Sequence, residues 1–315
     1  MQKKGFLTFL LFFLFSQLYA QNLAQTTISF NIDDNQNINP TIFIPLYYGK
    51  DKQFYSAIGY LSSNTQNVEK IDKFSESKNA YISNTKELTL NFLSYQSKVF
   101  NYKTSVGILT KFIDRVNNEF GYIHDKENIF NHSTDYYISF DNEIKIDIQS
   151  YAIDADIIIP LGKYFSSRIG MSISPYTTLR VKQSTLFKPL IKEIGTSSGS
   201  SMQKIAYSLR YDALIKTDTF FNIGFMASYT HRSLKYDIAQ LEYINDSYQF
   251  EKNTIDTEET TLKYVVKLLL NREMMGGLKP SIGYGIESFS IKDNLTQKTS
   301  SVDKKIVVFG VEKSF

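Results

Sequence analysis

The sequence predicts an all-β fold, a closed antiparallel transmembrane β-barrel of twelve strands, with short periplasmic turns and long extracellular loops. Three observations predict it. Apolar and polar residues alternate with period two through windows of ten or more residues, longer than the ~5–6 residues usual for a soluble strand. The connections between those windows alternate short and long. The one long apolar run lies at the start of the chain, so nothing after it is a candidate helical span.

That run is MQKKGFLTFLLFFLFSQLYAQN. Lys3 and Lys4 supply a positive first region, Gly5 to Phe15 an apolar stretch, and Ala20 a small residue before Gln21. The pattern is that of a cleavable export signal and falls short of the ~20 apolar residues that span a bilayer. Residues 1–20 are read as signal peptide and 21–315 as one barrel domain.

Strands are expected near residues 26–33, 38–48, 53–63, 84–96, 99–112, 144–160, 164–182, 202–216, 219–238, 259–271, 278–292 and 303–315. Alternation carries each assignment. Phe221, Ile223, Phe225, Ala227 and Tyr229 share a face, as do Leu262, Tyr264, Val266, Leu268 and Leu270. Leu278, Pro280, Ile282, Tyr284 and Ile286 repeat the pattern. Residues Ile169 to Val181 alternate with Arg168, Arg180 and Lys182 opposite. Short turns fall at YGKDKQ, YQSKV, PLGKY, KTDT and REMMGG; long polar connections run from Asn64 to Ala80, Ile113 to Asn142, Gln183 to Ser201, Gln240 to Glu259 and Asp293 to Ser301. The segment EFGYIHDKENIFNHSTDYYISF admits two readings: an added hairpin that makes fourteen strands, or two strands extended above the membrane. An even count leaves both termini periplasmic.

The last strand keeps alternating up to Phe315, with Val307, Phe309 and Val311 facing lipid. Here the chain resembles the outer-membrane β-barrel proteins of Gram-negative bacteria. The resemblance implies residence in the cell outer membrane, contact with its lipid, and an assembly signal of Gly310 and Phe315 read by the barrel-assembly machinery. Lys313 departs from that pattern, where an apolar residue is usual.

The faces opposite the apolar ones are expected to line a lumen. They carry Lys103, Lys111, Arg168, Arg210, Lys263, Lys267 and Lys279 against Glu87, Asp154, Asp156, Asp212 and Glu287. Tyr47, Tyr48, Phe54, Tyr60, Phe100, Tyr102, Phe220, Phe221 and Tyr229 suit interfacial girdles. Twelve strands stand between small barrels filled by side chains and porins that hold water. A narrow porin-like channel for small hydrophilic solutes is expected, with a non-conducting structural or adhesion barrel as the alternative.

Composition removes other classes. With 22 Tyr and 24 Phe but no Cys and no Trp, the chain has no disulfide frame and no thiolate metal site. A net charge of +3 gives no broad basic field, so no nucleic-acid partner is expected. No cofactor or metal is expected either. His124 and His132 stand near Asp125 and Asp135, a grouping ordinary for a solvated loop. The segment YTHRSLKYD resembles the His-x-Ser pair of outer-membrane phospholipase A, whose histidine is oriented by an asparagine. That resemblance implies His231, Ser233 and Asn245 as a catalytic set, since a serine nucleophile needs an oriented base. Leu234 and Lys235 stand where that family continues Asn-Gly, and no calcium-ligand pattern accompanies them. The expectation is a non-enzyme.

Overall fold

The computed structural model describes residues 26–48, 53–68, 77–99, 102–125, 136–188, 194–202, 206–244, 247–270 and 278–313. The signal-peptide assignment, Asn245, His132 and Phe315 lie outside them. The elements are β1 (Thr26–Asp33), β2 (Ile38–Tyr48), β3 (Phe54–Val68), β4 (Ser77–Val99), β5 (Tyr102–Asp125), β6 (Tyr136–Leu161) and β7 (Phe165–Lys188). There follow β8 (Ile194–Met202), β9 (Ala206–Ile215), β10 (Phe221–Ile244), β11 (Ser247–Leu270), β12 (Leu278–Asp293) and β13 (Thr299–Lys313).

Twelve of these close into a barrel of antiparallel neighbours. The order runs β6, β5, β4, β3, β2, β1, β13, β12, β11, β10, β9, β7, and β7 pairs back to β6. First and last strands seal the ring, with Thr26 opposite Lys313 and Phe30 opposite Phe309. A hydrocarbon layer offers backbone groups no partner, so only a ring without edges satisfies them all. β8 adds no stave. It pairs with β7 from Thr178 to Thr185, above the stretch of β7 that pairs with β9.

The long extracellular connections take the form of tall hairpins. β5 and β6 stay paired out to Asp125 and Tyr136, and β10 and β11 to Ile244 and Ser247. The extended-strand reading of EFGYIHD is the one adopted, and the ring keeps twelve staves. At the periplasmic end the β4–β5 hairpin closes at Val99 and Tyr102, three residues beyond the turn expected at YQSKV. A bulge between Asn91 and Leu93 takes up a residue within β4.

Strand lengths differ around the ring. β1 has 8 residues and β2 has 11, close to the ~9–11 that cross a membrane, whereas β6 has 26. The β1–β2 turn is held by Asp33, whose carboxylate accepts from the amides of Asn35 at 3.1 Å and Asn37 at 2.8 Å. Gln36 there takes a positive φ of 62°.

Side-chain polarity changes sign along the tall staves. On β6 below the rim, Ile153 and Ile157 point outward while Asp154 and Asp156 point inward. Higher up, Lys145 and Asp147 are exposed outside, and Ile146 and Ile148 are buried inside. On β7 the switch is made by backbone. Ile153 faces Ile173 but Tyr151 faces Tyr176, so β7 carries an extra residue at Ser174–Pro175. Proline is tolerated in sheets at such bulges. The bulge puts Ile169, Met171 and Ile173 on lipid, yet turns Leu179 and Val181 inward and Arg180 and Lys182 outward. The single face expected from Ile169 to Val181 is therefore two faces.

Above the rim, Ile113, Ile146, Ile148, Leu179, Val181 and Leu234 form a buried cluster with Ile144 and Tyr236 against it. Membrane below selects apolar exteriors, and water above selects apolar interiors. The extracellular extension has a core of its own.

Candidate functional site: the lumen and its extracellular closure

The inner wall is assembled from alternate residues of each stave. Asp154 and Asp156 of β6 lie beside Ser172 and Gly170 of β7, and Gly170 lies beside Arg210 of β9. Asp156 is the centre of this group. It accepts from Arg168 Nε at 3.1 Å and Nη2 at 2.7 Å, and from Arg210 Nη2 at 3.2 Å. Arg210 also lies 3.1 Å from Asp212. Gly170 gives the carboxylate its space, since a Cβ there would come within 2.4 Å of Asp156 Oδ1. Asp154 has no ion-pair partner within 4.0 Å among the described residues.

Across the ring a second group forms on β11, β12 and β13. Lys263 lies 3.5 Å from Glu287 and faces it across the ladder, and Glu287 in turn faces Lys304. Lys304 lies 3.9 Å from Asp33 and donates to the backbone carbonyl of Asn64 at 2.6 Å, reaching over the short β1–β2 staves. Lys111 on β5 lies 3.7 Å from Glu87 on β4. Lys267 shares the inner face, packed against the positions of Gly224 and Gly283. Lys279 and Lys103 occupy inward register positions at the periplasmic end, where Lys103 is exposed. Opposite charges on the wall are thus mostly joined to one another. An apolar patch of Val265, Ile306, Val308 and Met226 interrupts them. Gly310 is also on the inner wall, beside Ser281 and Ser29.

One ion pair was missed by the sequence reading. Arg115 of β5 and Glu259 of β11 are not neighbours in the ring; β6, β7, β9 and β10 separate them one way round. Their side chains nevertheless join in a two-pronged bond, Nη2 to Oε2 at 2.8 Å and Nη1 to Oε1. Both are buried, with Arg232 facing Glu259 from β10. The pair stands just above the apolar exterior, whose last outward members on these staves are Phe112 and Leu262. Leu234 of β10 joins the buried cluster of β5, β6 and β7 at this height. Alternation marks Arg115 and Glu259 as inward, but no local signal says that they meet.

Of the catalytic alternative, His231 and Ser233 are described and Asn245 is not. His231 faces outward at the rim and stacks on Tyr207 with ring centroids 5.0 Å apart. Ser233 is buried opposite Glu258 and makes no bond to His231. No group of metal-ligating side chains is present among the described residues.

No family model and no curated protein matches the chain. Solved barrels resemble it along most of its length. A Pseudomonas aeruginosa FadL homologue is 10% identical, with 92% of this chain and 90% of that one covered and a TM-score of 0.47. The CymD monoaromatic hydrocarbon channel is 10% identical, with 92% and 87% covered and a TM-score of 0.42. The Ralstonia pickettii toluene transporter TbuX is 8% identical, with 92% and 88% covered and a TM-score of 0.35. A closed ring with an apolar belt and a charged inner wall can be stable in only one setting, a membrane that admits β-structure. The chain is a closed twelve-stranded antiparallel β-barrel with the apolar belt of a membrane-spanning one.

Proposed function

We propose that the barrel is a transport passage for small hydrophilic solutes across the outer membrane. One observation carries this reading: at membrane level the inner wall bears side chains of both charge signs, from Asp154, Asp156, Arg168 and Arg210 on one side to Lys263, Lys267 and Glu287 on the other. Such a wall replaces part of a polar solute's hydration as it passes. The test is conductance of the refolded full-length chain in planar bilayers. Small steps are expected, and joint neutralisation of Arg168, Arg210, Lys263 and Lys267 should shift ion preference towards cations. Silent bilayers from folded protein would favour a structural barrel.

A second reading, passage of small apolar molecules, has a specific observation behind it. The inner face of the extracellular extension is built of Ile113, Ile146, Ile148, Leu179, Val181 and Leu234. Faster entry of an apolar fluorophore than of a sugar of equal size into liposomes holding the barrel would select it.

A further inference from the structure

Above the membrane two contacts that no strand pairing requires bring separate staves together. Arg115 reaches from β5 across the ring to Glu259 on β11, and Leu234 of β10 joins the buried cluster made by the isoleucines of β5 and β6 and Leu179 and Val181 of β7. In both cases the wall made of β10 and β11 meets the wall made of β5, β6 and β7. The contacts lie at one height, because Arg115 faces Ile146 across the ladder, Ile146 faces Val181, and Leu234 is two residues along from Arg232, which faces Glu259. Each is buried; Leu234 is 1% exposed.

Their chemistry suits a joint that parts. Among the described residues no strand pairing directly joins β10 or β11 to β5, β6 or β7, and the sequence holds no cysteine to lock them. A buried ion pair gains little net stability over its separated, solvated ions, since both must be stripped of water to form it. Both Arg115 and Glu259 stand beside water-exposed staves, where Asp114, Lys145, Asp147 and Lys235 already face solvent. Losing Leu234 from its cluster opposes parting and sets the resting state closed.

We propose that these two walls are a gate over the lumen, with Arg115–Glu259 as its latch and Leu234 as its seal. Solute passes when β10–β11 swings away from β5–β7. The proposal rests on the transport reading, and its first readout, labelling of a lumenal cysteine, is chosen to be independent of conduction.

The experiment places a reporter below the gate in the full-length chain, Ser228→Cys, on the inner face beside Arg210. The protein is held in liposomes with its extracellular face outward, and a small membrane-impermeant maleimide is added outside. Slow labelling is expected with the latch intact, and labelling at least tenfold faster with Glu259→Gln. In a second chain Arg115→Cys and Glu259→Cys are joined by a short reversible bis-thiosulfonate. Because the reporter would react too, entry is followed there by release of a trapped small sugar. Release should stop on cross-linking and return on reduction. Labelling unchanged by Glu259→Gln, or sugar release that occurs and is indifferent to the cross-link, overturns the gate. Latch-dependent labelling with silent bilayers in every variant would retain the gate and overturn conduction.

Discussion

The carboxylate of Asp156 holds the guanidinium of Arg168 through two bonds, at 3.1 and 2.7 Å, and so ties β6 to β7 inside the membrane-level lumen. Arg210 of β9 shares the same carboxylate at 3.2 Å. Replacing it by Asp156→Asn leaves two neighbouring cations without their common partner. Removing one member of a buried pair costs about 3–5 kcal/mol, and Arg210, more exposed, contributes less of that. Urea unfolding of the refolded barrel in detergent micelles should show the loss, with Asp154→Asn much milder because Asp154 has no such partner. Equal midpoints for the two variants would count against the account.

Inserting one alanine between Thr177 and Thr178 tests the parity of β7 above its bulge. With one residue added there, Leu179 and Val181 would turn outward to water and Arg180 and Lys182 would turn onto the isoleucine cluster, whereas deleting Pro175 would leave a regular strand with Leu179 and Val181 still inward. A one-residue slip reverses every side chain beyond it. In the insertion variant the extracellular halves of β6 and β7 should become protease-sensitive while the membrane-level barrel keeps its heat-dependent gel mobility. Retained protease resistance of the insertion variant would mean that register above the bulge does not set the face.

The extension should behave as a separate core. Ile146, fully buried, sits within it. Ile146→Ala should cost about 2–5 kcal/mol locally, the range for deleting a buried aliphatic side chain. Hydrogen exchange should quicken at the tips of β6, β7 and β10 and stay slow near Asp156. Exchange that quickens throughout the barrel would show one core instead of two.

Gly285 faces Val265 across the β11–β12 ladder, and a Cβ there would lie 2.1 Å from the backbone carbonyl of Tyr264. Backbone cannot move aside as the tip of a side chain does. Gly285→Ala should lower refolding yield, whereas Gly59→Ala, with its nearest atom at 3.4 Å, should fold normally. Comparable yields for both would contradict the close approach.

The β12–β13 turn has a pH dependence of known sign. The Thr296 hydroxyl and the Leu295 amide donate to the Asp293 carboxylate, which holds its pKa below the ordinary aspartate value. A lowered pKa contributes order that is fully present above the ordinary value of about 3.9 and is lost as pH falls through the lowered one. Proteolysis within Asp293–Lys298 should be slow at neutral pH and should accelerate only under strong acid. Asp293→Asn should flatten that dependence.

The kind of fold is legible along the chain, because lipid outside and a polar interior impose a period of two that any stave displays on its own. Phe221 to Tyr229 and Leu262 to Leu270 announce their outward faces without reference to a partner, and both face outward in the barrel. The same logic brought Asp154, Asp156, Arg168 and Arg210 to one wall, since parity alone decides which side a residue takes. It also explains where the reading along β7 broke. The extra residue at Ser174–Pro175 leaves the alternation in the sequence unbroken while reversing the face, and only the pairing with β6 reveals it.

What meets across the ring is settled by the closed barrel alone. Arg115 and Glu259 are 144 residues apart, on staves that do not pair, and their meeting depends on how the whole ring closes. That closure is set by many inward side chains at once, among them Leu234, Ile146 and Val181, whose packing no local pattern encodes. Alternation fixes direction at each residue; closure is a property of the whole ring.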